Sequence, residues 1–334
     1  MKKIAVLVYV PNKEVFIQQF FALYSSVMLN PRLKETLDFL IACEVGMEHL
    51  FERNNCRLVY LGDLSNEPQY RYLYDDKPYV FINSWAHFTT EESINTILQY
   101  EYSLRIDVDT FIFPNLVGLE VDENTFFTGI GGYIGEEETK TNLKRIAIEL
   151  DLQQRGLSNI GSTWFAHSMD VIEIGIKSLE IAGHLLRKEF KEEGEWPKWY
   201  APVISLYAGE LALNNSEFQI DICDRFDANS TSAISIKEVY TVHCWHTTSF
   251  FSKHKYVSGE YVDRLLGSNI DELPEYSFLM TRISELLYDG KPILKYGVQQ
   301  YTPKQAMITG VYLIWKSLPH IPRTLWNKIR RIFG

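Results

Sequence analysis

The chain has 334 residues and a net charge of −10, with 46% hydrophobic and 23% charged residues. This length suits one large α/β domain with an extension, or two modest domains. The acidic balance argues against an extended interface with a nucleic-acid backbone, so we expect no nucleic-acid partner.

The first apolar run covers Ile4 to Val10 and ends at Pro11 without a small-residue cleavage site. It predicts a buried strand rather than a signal peptide. No apolar run reaches the roughly 18–20 residues that a membrane-spanning helix needs. The four cysteines are scattered, with Cys43 and Cys56 in strand-like runs. They indicate buried free thiols and a reducing, cytoplasmic compartment.

Strand and helix signals alternate along the first half of the chain. The predicted strands are Ile4–Val10, Leu37–Val45, Arg57–Leu61 and Ser103–Val108. The predicted helices are Lys13–Met28, Met47–Arg53 and Glu91–Gln99, the last with Thr89 or Thr90 as its N-cap. This alternation predicts an α/β fold of the Rossmann-like kind, with a mainly parallel sheet flanked by helices.

The second half of the chain is less regular. Phe126–Tyr133 predicts a glycine-rich loop, in which Gly131 and Gly132 could approach a ligand closely. The remaining elements are helices over Lys140–Gln153, Val171–Phe190 and Trp199–Leu213, a strand over Glu238–His243, and a polar helix over Glu260–Leu287.

The C-terminal residues differ from the rest, so we divide the chain into a main domain, 1–260, and a helical extension, 261–334. Within residues 305–334, Leu325 and Trp326 share an apolar face that is flanked by cations such as Arg323 and Arg330. A cationic amphipathic helix on an acidic protein indicates a helix at a membrane surface. The alternative is a C-terminal helix that docks on its own domain.

Asp107 and Asp109 carry the strongest functional signal, because they follow an apolar, β-forming run and are one residue apart. Ligands of parallel sheets bind at the carboxyl ends of the strands. Two carboxylates at such an end can hold a hard divalent cation that keeps positions open for phosphate oxygens.

His243 and His246 are candidates for a third metal ligand, since imidazole with carboxylates suits Mn²⁺ and similar ions. His246 is slightly preferred, because a residue just past the strand has more freedom to turn inward. Lys253 and Lys255 follow, and either could meet a leaving diphosphate.

Together these residues resemble the GT-A nucleotide-sugar glycosyltransferases, in which a DxD motif is followed late in the chain by a metal-binding histidine. Asn159-Ile160-Gly161 resembles the Asn-x-Gly segment of glycogenin-like enzymes, and residues 207–214 resemble their Asp-Gln-Asp-x-x-Asn helix. In that helix both aspartates are missing here, and Glu210 stands where glutamine would be.

The chain also resembles a group of viral and microbial predicted glycosyltransferases. The shared segments are Gly161-Ser162-Thr163-Trp164, Trp196-Pro197-Lys198-Trp199-Tyr200 and Phe251-Ser252-Lys253-His254. The two resemblances cover about residues 1–260. They imply a GT-A fold, a UDP-sugar donor, and a glycan or lipid-linked glycan acceptor. The cationic tail adds the expectation that the protein acts at the inner face of a membrane.

The resemblance also implies roles for individual residues. Mn²⁺ or Mg²⁺ is expected on Asp109, on His246 or His243, and on Asp107 directly or through water. Glu210 is the candidate general base of an inverting enzyme, or the group that stabilises the cationic sugar in a retaining one. The expected donor-binding positions are Val10, Asp107, Gly131, Gly132, Gly161, Lys253 and Lys255.

Trp196, Trp199 and Tyr200 could form an aromatic platform for the acceptor, or simply a packed corner. Two other functions remain open. A haloacid-dehalogenase-like phosphatase also places Asp-x-Asp after a strand, although here Phe111 stands where that motif wants Thr or Val. A sugar- or nucleotide-binding protein that has lost its chemistry is the non-enzymatic alternative.

Overall fold

The computed structural model describes residues 3–28, 30–229 and 238–244. Over these residues the chain forms two β-sheets and six α-helices. The strands are β1 (Ile4–Val10), β2 (Leu37–Cys43), β3 (Cys56–Leu61), β4 (Tyr102–Arg105), β5 (Thr110–Ile112), β6 (Thr125–Ile130), β7 (Ile160–His167), β8 (Gln219–Ile222), β9 (Ala228–Asn229) and β10 (Thr241–His243). The helices are α1 (Glu14–Met28), α2 (Pro31–Thr36), α3 (Glu91–Ile97), α4 (Glu137–Glu149), α5 (Ser168–Lys188) and α6 (Ile204–Asn214).

The larger sheet has seven strands in the order β3-β2-β1-β4-β7-β6-β8. The pairs β2–β3, β1–β2, β1–β4 and β6–β8 are parallel, whereas β7 is antiparallel to both of its neighbours. The predicted fold class, α/β with a mainly parallel sheet flanked by helices, is therefore confirmed.

Hydrophobic side chains cover both faces of the central strand β1. Ile4 and Val6 point into a core that contains α1, whereas Ala5 and Leu7 point into a core that contains α5 and α6. This division follows from the two-residue repeat of a strand. A central strand buried on both faces explains why Ile4–Val10 is an unbroken apolar run.

Local capping signals explain two helix starts. Thr90, one of the two predicted N-caps, accepts a hydrogen bond from the backbone N–H of Ser93 at the start of α3. Asn30 caps α2 in the same way, with Pro31 in the first helical turn.

Several predicted elements were wrong or shorter than predicted. Residues 125–130 form the strand β6, so the glycine-rich loop begins only after Ile130. The strand β7 was not predicted, because Gly161 and Ser162 in its sequence are typical of a turn. The strand over Ser103–Val108 ends at Arg105, and Met47–Arg53 contains only a short 3-10 helix, Glu48–Leu50.

Cys43, Cys223 and Cys244 are buried and Cys56 is half-buried, and none of these four described residues forms a disulfide. Among the helices of the described ranges, none combines the length and apolar character needed to span a membrane. The predictions for His246, Lys253, Lys255, the helix Glu260–Leu287 and the extension 261–334 lie outside the described residues.

Candidate metal and donor site

Asp107 and Asp109 lie between β4 and β5, at the carboxyl end of a central strand of the larger sheet. The side chain of Asp109 is 6% exposed and that of Asp107 is 35% exposed. The two carboxylates therefore differ in environment. Asp109 is held within the protein, whereas Asp107 faces solvent and is free to reach a ligand.

His243 reaches the aspartates through the smaller sheet, whose order is β5-β10-β9. The strand β10 is antiparallel to β5, which places His243 opposite Thr110, the residue next to Asp109. The backbone N–H of Cys244 also donates to the Asp109 carbonyl oxygen over 2.8 Å. Backbone pairing thus fixes this histidine beside the aspartates.

The imidazole of His243 faces both carboxylates with one nitrogen. Its Nε2 lies 3.3 Å from Asp109 Oδ1 and 3.8 Å from Asp107 Oδ2. Two ligands bound to Mg²⁺ at about 2.1 Å and at right angles would be about 3 Å apart. Small shifts of these side chains would therefore let all three bind one ion, and this oxygen-rich donor set with one imidazole suits Mn²⁺ or Mg²⁺.

The carboxylates also control the charge of His243. Burial alone would lower the pKa of this imidazole, but attraction and hydrogen bonding to Asp109 and Asp227 raise its pKa well above 6.5. Without a metal ion the imidazole is therefore protonated on both nitrogens, and its positive charge offsets part of the negative charge of the carboxylates. A bound cation would take the place of the proton on Nε2.

Asp227 is a third carboxylate at this site, and the sequence analysis missed it. Its side chain is 1% exposed, and its Oδ1 lies 3.2 Å from Nδ1 of His243. It also accepts hydrogen bonds from the backbone N–H of Thr163, over 2.8 Å, and from the Thr163 hydroxyl. The sequence does not single it out, since it is the last of three evenly spaced aspartates, Asp221, Asp224 and Asp227.

Two glycines leave the space that the Asp227 carboxylate occupies. A Cβ atom on either Gly129 of β6 or Gly161 of β7 would lie 2.3 Å from Asp227 Oδ2. Gly161 was predicted to bind the donor. Its position shows a packing reason for glycine, and its role in donor binding stays a prediction.

Arg105, at the end of β4, is a buried cation beside these carboxylates, and its side chain is 5% exposed. Its guanidinium donates to Ser84 Oγ over 2.8 Å and to the Ser162 carbonyl oxygen, and it lies 3.9 Å from Asp107. It also packs over the rings of Trp85 and Trp164. The positive charge offsets the neighbouring carboxylates, and the aromatic rings hold the guanidinium in place.

A small cleft adjoins Arg105. Residues from β4, β7 and α6, together with Trp85 from the 3-10 helix Val80–Phe88, form its wall. They are Trp85, Arg105, Ile160, Gly161, Trp164, Ser205, Leu206 and Gly209. The cleft lies next to the metal-ligand candidates, because Arg105 contacts Asp107.

Glu210 on α6 is buried, and only 4% of the residue is exposed. Its Oε2 accepts hydrogen bonds from the Tyr133 hydroxyl and from the backbone N–H of Asn159, each over 2.6 Å. Burial raises the pKa of Glu210 to about 7, although hydrogen bonds from Tyr133, Asn159 and Ile160 oppose the rise. A pKa near neutrality suits a general base, and that role stays a prediction.

Further polar groups lie at the carboxyl ends of β1, β2 and β3. The Tyr9 hydroxyl donates to Glu44 Oε1 over 3.4 Å, and Asp63 accepts from Asn83 over 2.7 Å. Because these strands are parallel to β4, this polar edge continues to Asp107. Sequence reasoning placed only Val10 here, and the side chain of Val10 is fully buried.

The other predicted contact residues differ in exposure. Gly132 is exposed, whereas Gly131 is buried against Tyr133. The Trp199 ring stacks with the rings of Phe190 and Tyr207, and each of their centroids lies 4.6 Å from the Trp199 centroid. The packed-corner interpretation therefore describes Trp199. Trp196 is 49% exposed, and an acceptor platform there stays a prediction.

A comparison with protein-family models finds one that covers most of the chain. The model, described as a domain of unknown function, DUF7164, matches residues 1–287. The chain belongs to the DUF7164 family. The matched region includes the whole metal-ligand cluster of this DUF7164 protein, along with the predicted residues His246, Lys253 and Lys255. A comparison with curated protein sequences finds no match.

Two solved structures resemble this DUF7164 protein at low sequence identity. One is a glycosyltransferase involved in the glycosylation of the major capsid of PBCV-1, with a TM-score of 0.36, 12% identity, and coverage of 74% of this chain and 94% of that one. The other is the bifunctional glycosyltransferase WbbM, with a TM-score of 0.42, 10% identity, and coverage of 84% of this chain and 52% of that one. The chain thus spans about half the length of WbbM. Both scores are low, so neither likeness adds to what the site indicates about function.

Proposed function

We propose that this DUF7164 protein is a metal-dependent glycosyltransferase of the GT-A kind, which transfers a sugar from a nucleoside diphosphate donor to a glycan acceptor. The observation that carries the proposal is the cluster of Asp107, Asp109 and His243, whose ligand atoms all lie within 4.8 Å of one another. The cluster lies at the carboxyl end of β4, where ligands of parallel sheets bind.

The three ligand candidates have different parts in this proposal. Asp109 and His243 are largely buried and fixed by backbone pairing, so they would hold Mn²⁺ or Mg²⁺ in one position. Asp107 is more exposed and would bind the ion directly or through water, or contact the ribose. When bound, the cation supplies positive charge that stabilises the nucleoside diphosphate as it leaves.

The surrounding residues would orient the two halves of the donor. The polar edge formed by Tyr9, Glu44 and Asp63 would face the nucleoside part of the donor. We propose UDP as the nucleotide. The cleft beside Arg105 adjoins the metal-ligand candidates and is where the donor sugar would lie. Glu210 follows Gly209 of the cleft wall and would act on the acceptor hydroxyl or on the cationic sugar.

We test the proposal by calorimetric titration of UDP and GDP, each with and without Mn²⁺, on the wild type and on Asp109→Asn. The control is Asp122→Asn, which changes an exposed aspartate outside the site. We expect one nucleotide to bind only with Mn²⁺, and its affinity to fall at least about tenfold in Asp109→Asn but not in the control. No binding of either nucleotide by the wild type would refute the proposal.

A donor-hydrolysis assay and a phosphatase assay then separate the other functions. Nucleotide binding without donor cleavage would indicate a binding protein that has lost its chemistry. Release of phosphate from phosphomonoesters would indicate the haloacid-dehalogenase-like alternative.

We also propose a cytoplasmic location at the inner face of a membrane, with a lipid-linked glycan among the candidate acceptors. The cationic, apolar sequence of residues 305–334 supports this proposal. Co-sedimentation with anionic vesicles, lost when residues 323–334 are deleted, is the expected result.

A further inference from the structure

We propose that Asp227 is a positioning residue that fixes the imidazole of His243 in the tautomer able to bind the metal ion. The inference rests on the proposed function, because it concerns the same cation. Asp227 does not face the cation position itself. It contacts the opposite side of the imidazole from Asp107 and Asp109.

The two ring nitrogens of His243 face different groups. Nε2 faces the carboxylates of Asp107 and Asp109, where the cation would bind. Nδ1 lies 3.2 Å from Asp227 Oδ1, with Ser162 Oγ at a longer 3.4 Å. A neutral imidazole can ligate through Nε2 only when its proton is on Nδ1. An acceptor at Nδ1 therefore favours the ligating tautomer, as is common behind metal-bound histidines.

The surroundings of Asp227 leave its carboxylate as an acceptor only. Both groups that Thr163 offers are donors to it, the backbone N–H to Oδ2 and the hydroxyl to Oδ1. The backbone N–H of Asp227 donates to Thr241 Oγ1 over 3.1 Å, which ties the residue to β10, the strand that carries His243. The acceptor and the histidine are thus fixed in one frame.

The packing around Asp227 is an independent sign that this carboxylate has a prepared position. Gly129 and Gly161 approach it from two adjacent strands, and a Cβ atom on either would lie 2.3 Å from Oδ2. Asp227 itself has a φ of 51°, an uncommon value for a residue other than glycine. The two glycines and the backbone conformation of Asp227 itself therefore all accommodate this one buried carboxylate.

The substitution Asp227→Asn tests the tautomer directly, because it keeps the shape and changes only the hydrogen-bonding character. The new amide would keep its oxygen at the Oδ2 position to accept from the Thr163 N–H. Its NH₂ group would then face the Thr163 hydroxyl and Nδ1 of His243. Nδ1 would have to accept, so the proton would move to Nε2 and block ligation.

The first measurement is a titration with Mn²⁺ in the absence of nucleotide, in which electron paramagnetic resonance detects the unbound ion. The melting temperature of each variant is measured in parallel. The matched control is Ser103→Ala, which removes a buried hydroxyl that hydrogen-bonds to Ser168 near the start of β4, away from the metal-ligand cluster. We expect Asp227→Asn to lower the Mn²⁺ affinity by about 10–100-fold. We expect Ser103→Ala to lower the melting temperature while it keeps the Mn²⁺ affinity of the wild type.

Two results would overturn the inference alone. One is wild-type Mn²⁺ affinity in a folded Asp227→Asn protein. The other is a loss of affinity in both variants that simply follows their loss of stability. Failure of the wild type to bind Mn²⁺ would overturn the metal part of the proposed function and this inference with it.

A second measurement needs no change at Asp227. Long-range ¹H–¹⁵N spectra of the Mg²⁺-saturated wild type show which nitrogen of His243 is protonated. The His243 signal is assigned by its absence from the spectrum of His243→Gln. A proton on Nδ1 is the expected result, and a proton on Nε2 would overturn the inference.

Discussion

The buried carboxyl of Glu210 predicts a pH dependence of stability that can be worked out from the structure. Burial raises its pKa from an ordinary value of 4.5 to about 7. In the unfolded chain the carboxyl loses its proton near the ordinary value. The folded state therefore binds more protons between these two pH values, so the free energy of unfolding falls as the pH rises through this window.

The size of this effect follows from the two pKa values. The difference between 4.5 and about 7 corresponds to about 3 kcal/mol of stability, present at low pH and lost above about pH 7. The substitution Glu210→Gln removes the titration and resembles the protonated acid, since its amide oxygen can still accept from Tyr133 and Asn159. The free energy of unfolding of Glu210→Gln, relative to the wild type, should therefore rise by about 3 kcal/mol between about pH 4.5 and pH 8.

Urea unfolding at several pH values measures this difference. The control is Glu138→Gln, a change of an exposed glutamate on α4, which should leave the pH dependence of the wild type almost unchanged. A Glu210→Gln difference that varies by less than about 1 kcal/mol across the window would refute the reasoning. It would mean that the carboxyl is ionised in the folded protein at little cost.

Two further substitutions test the packing of the site. Gly161→Ala introduces a Cβ atom 2.3 Å from Asp227 Oδ2, so it should destabilise the protein by about 1–3 kcal/mol in urea unfolding, whereas Gly118→Ala, whose Cβ would meet no atom within 4 Å, should change little. Arg105→Lys removes hydrogen bonds to Ser84 and Ser162 from a buried cation and should reduce the free energy of unfolding by about 2–4 kcal/mol. Arg32→Lys on the exposed side of α2 is the matched control for the second change, and equal effects of the two arginine substitutions would contradict the role given to Arg105.

The parts of the fold that the sequence predicted correctly depend on local signals. β1 is an unbroken apolar run, and α3 begins at a threonine cap, so both follow from neighbouring residues. The strand β7 was missed because Gly161 is typical of a turn, whereas in the fold its lack of a side chain makes room for the Asp227 carboxylate. That reason is visible only once the strands are paired.

The same distinction separates the site residues. Asp107 and Asp109 stand out in the sequence because both signals that mark them are local. These are the β-forming run before them and their spacing of one residue. The placement of His243 beside them depends on the pairing of β10 with β5, which no local pattern specifies. Asp227 and Arg105 were missed as site residues because their importance comes from burial against distant partners.

The pairing of β10 with β5 also has a consequence for the order in which the protein acquires its site. Asp107 and Asp109 leave the ribosome early, together with the strands of the larger sheet that precede them, but Asp227 and His243 are made much later. Contacts between residues so far apart in the chain close large loops and form slowly. The nascent protein can therefore build β1 to β4 while its metal cluster is still incomplete. Binding of the proposed cation would then mark that folding has reached residue 243.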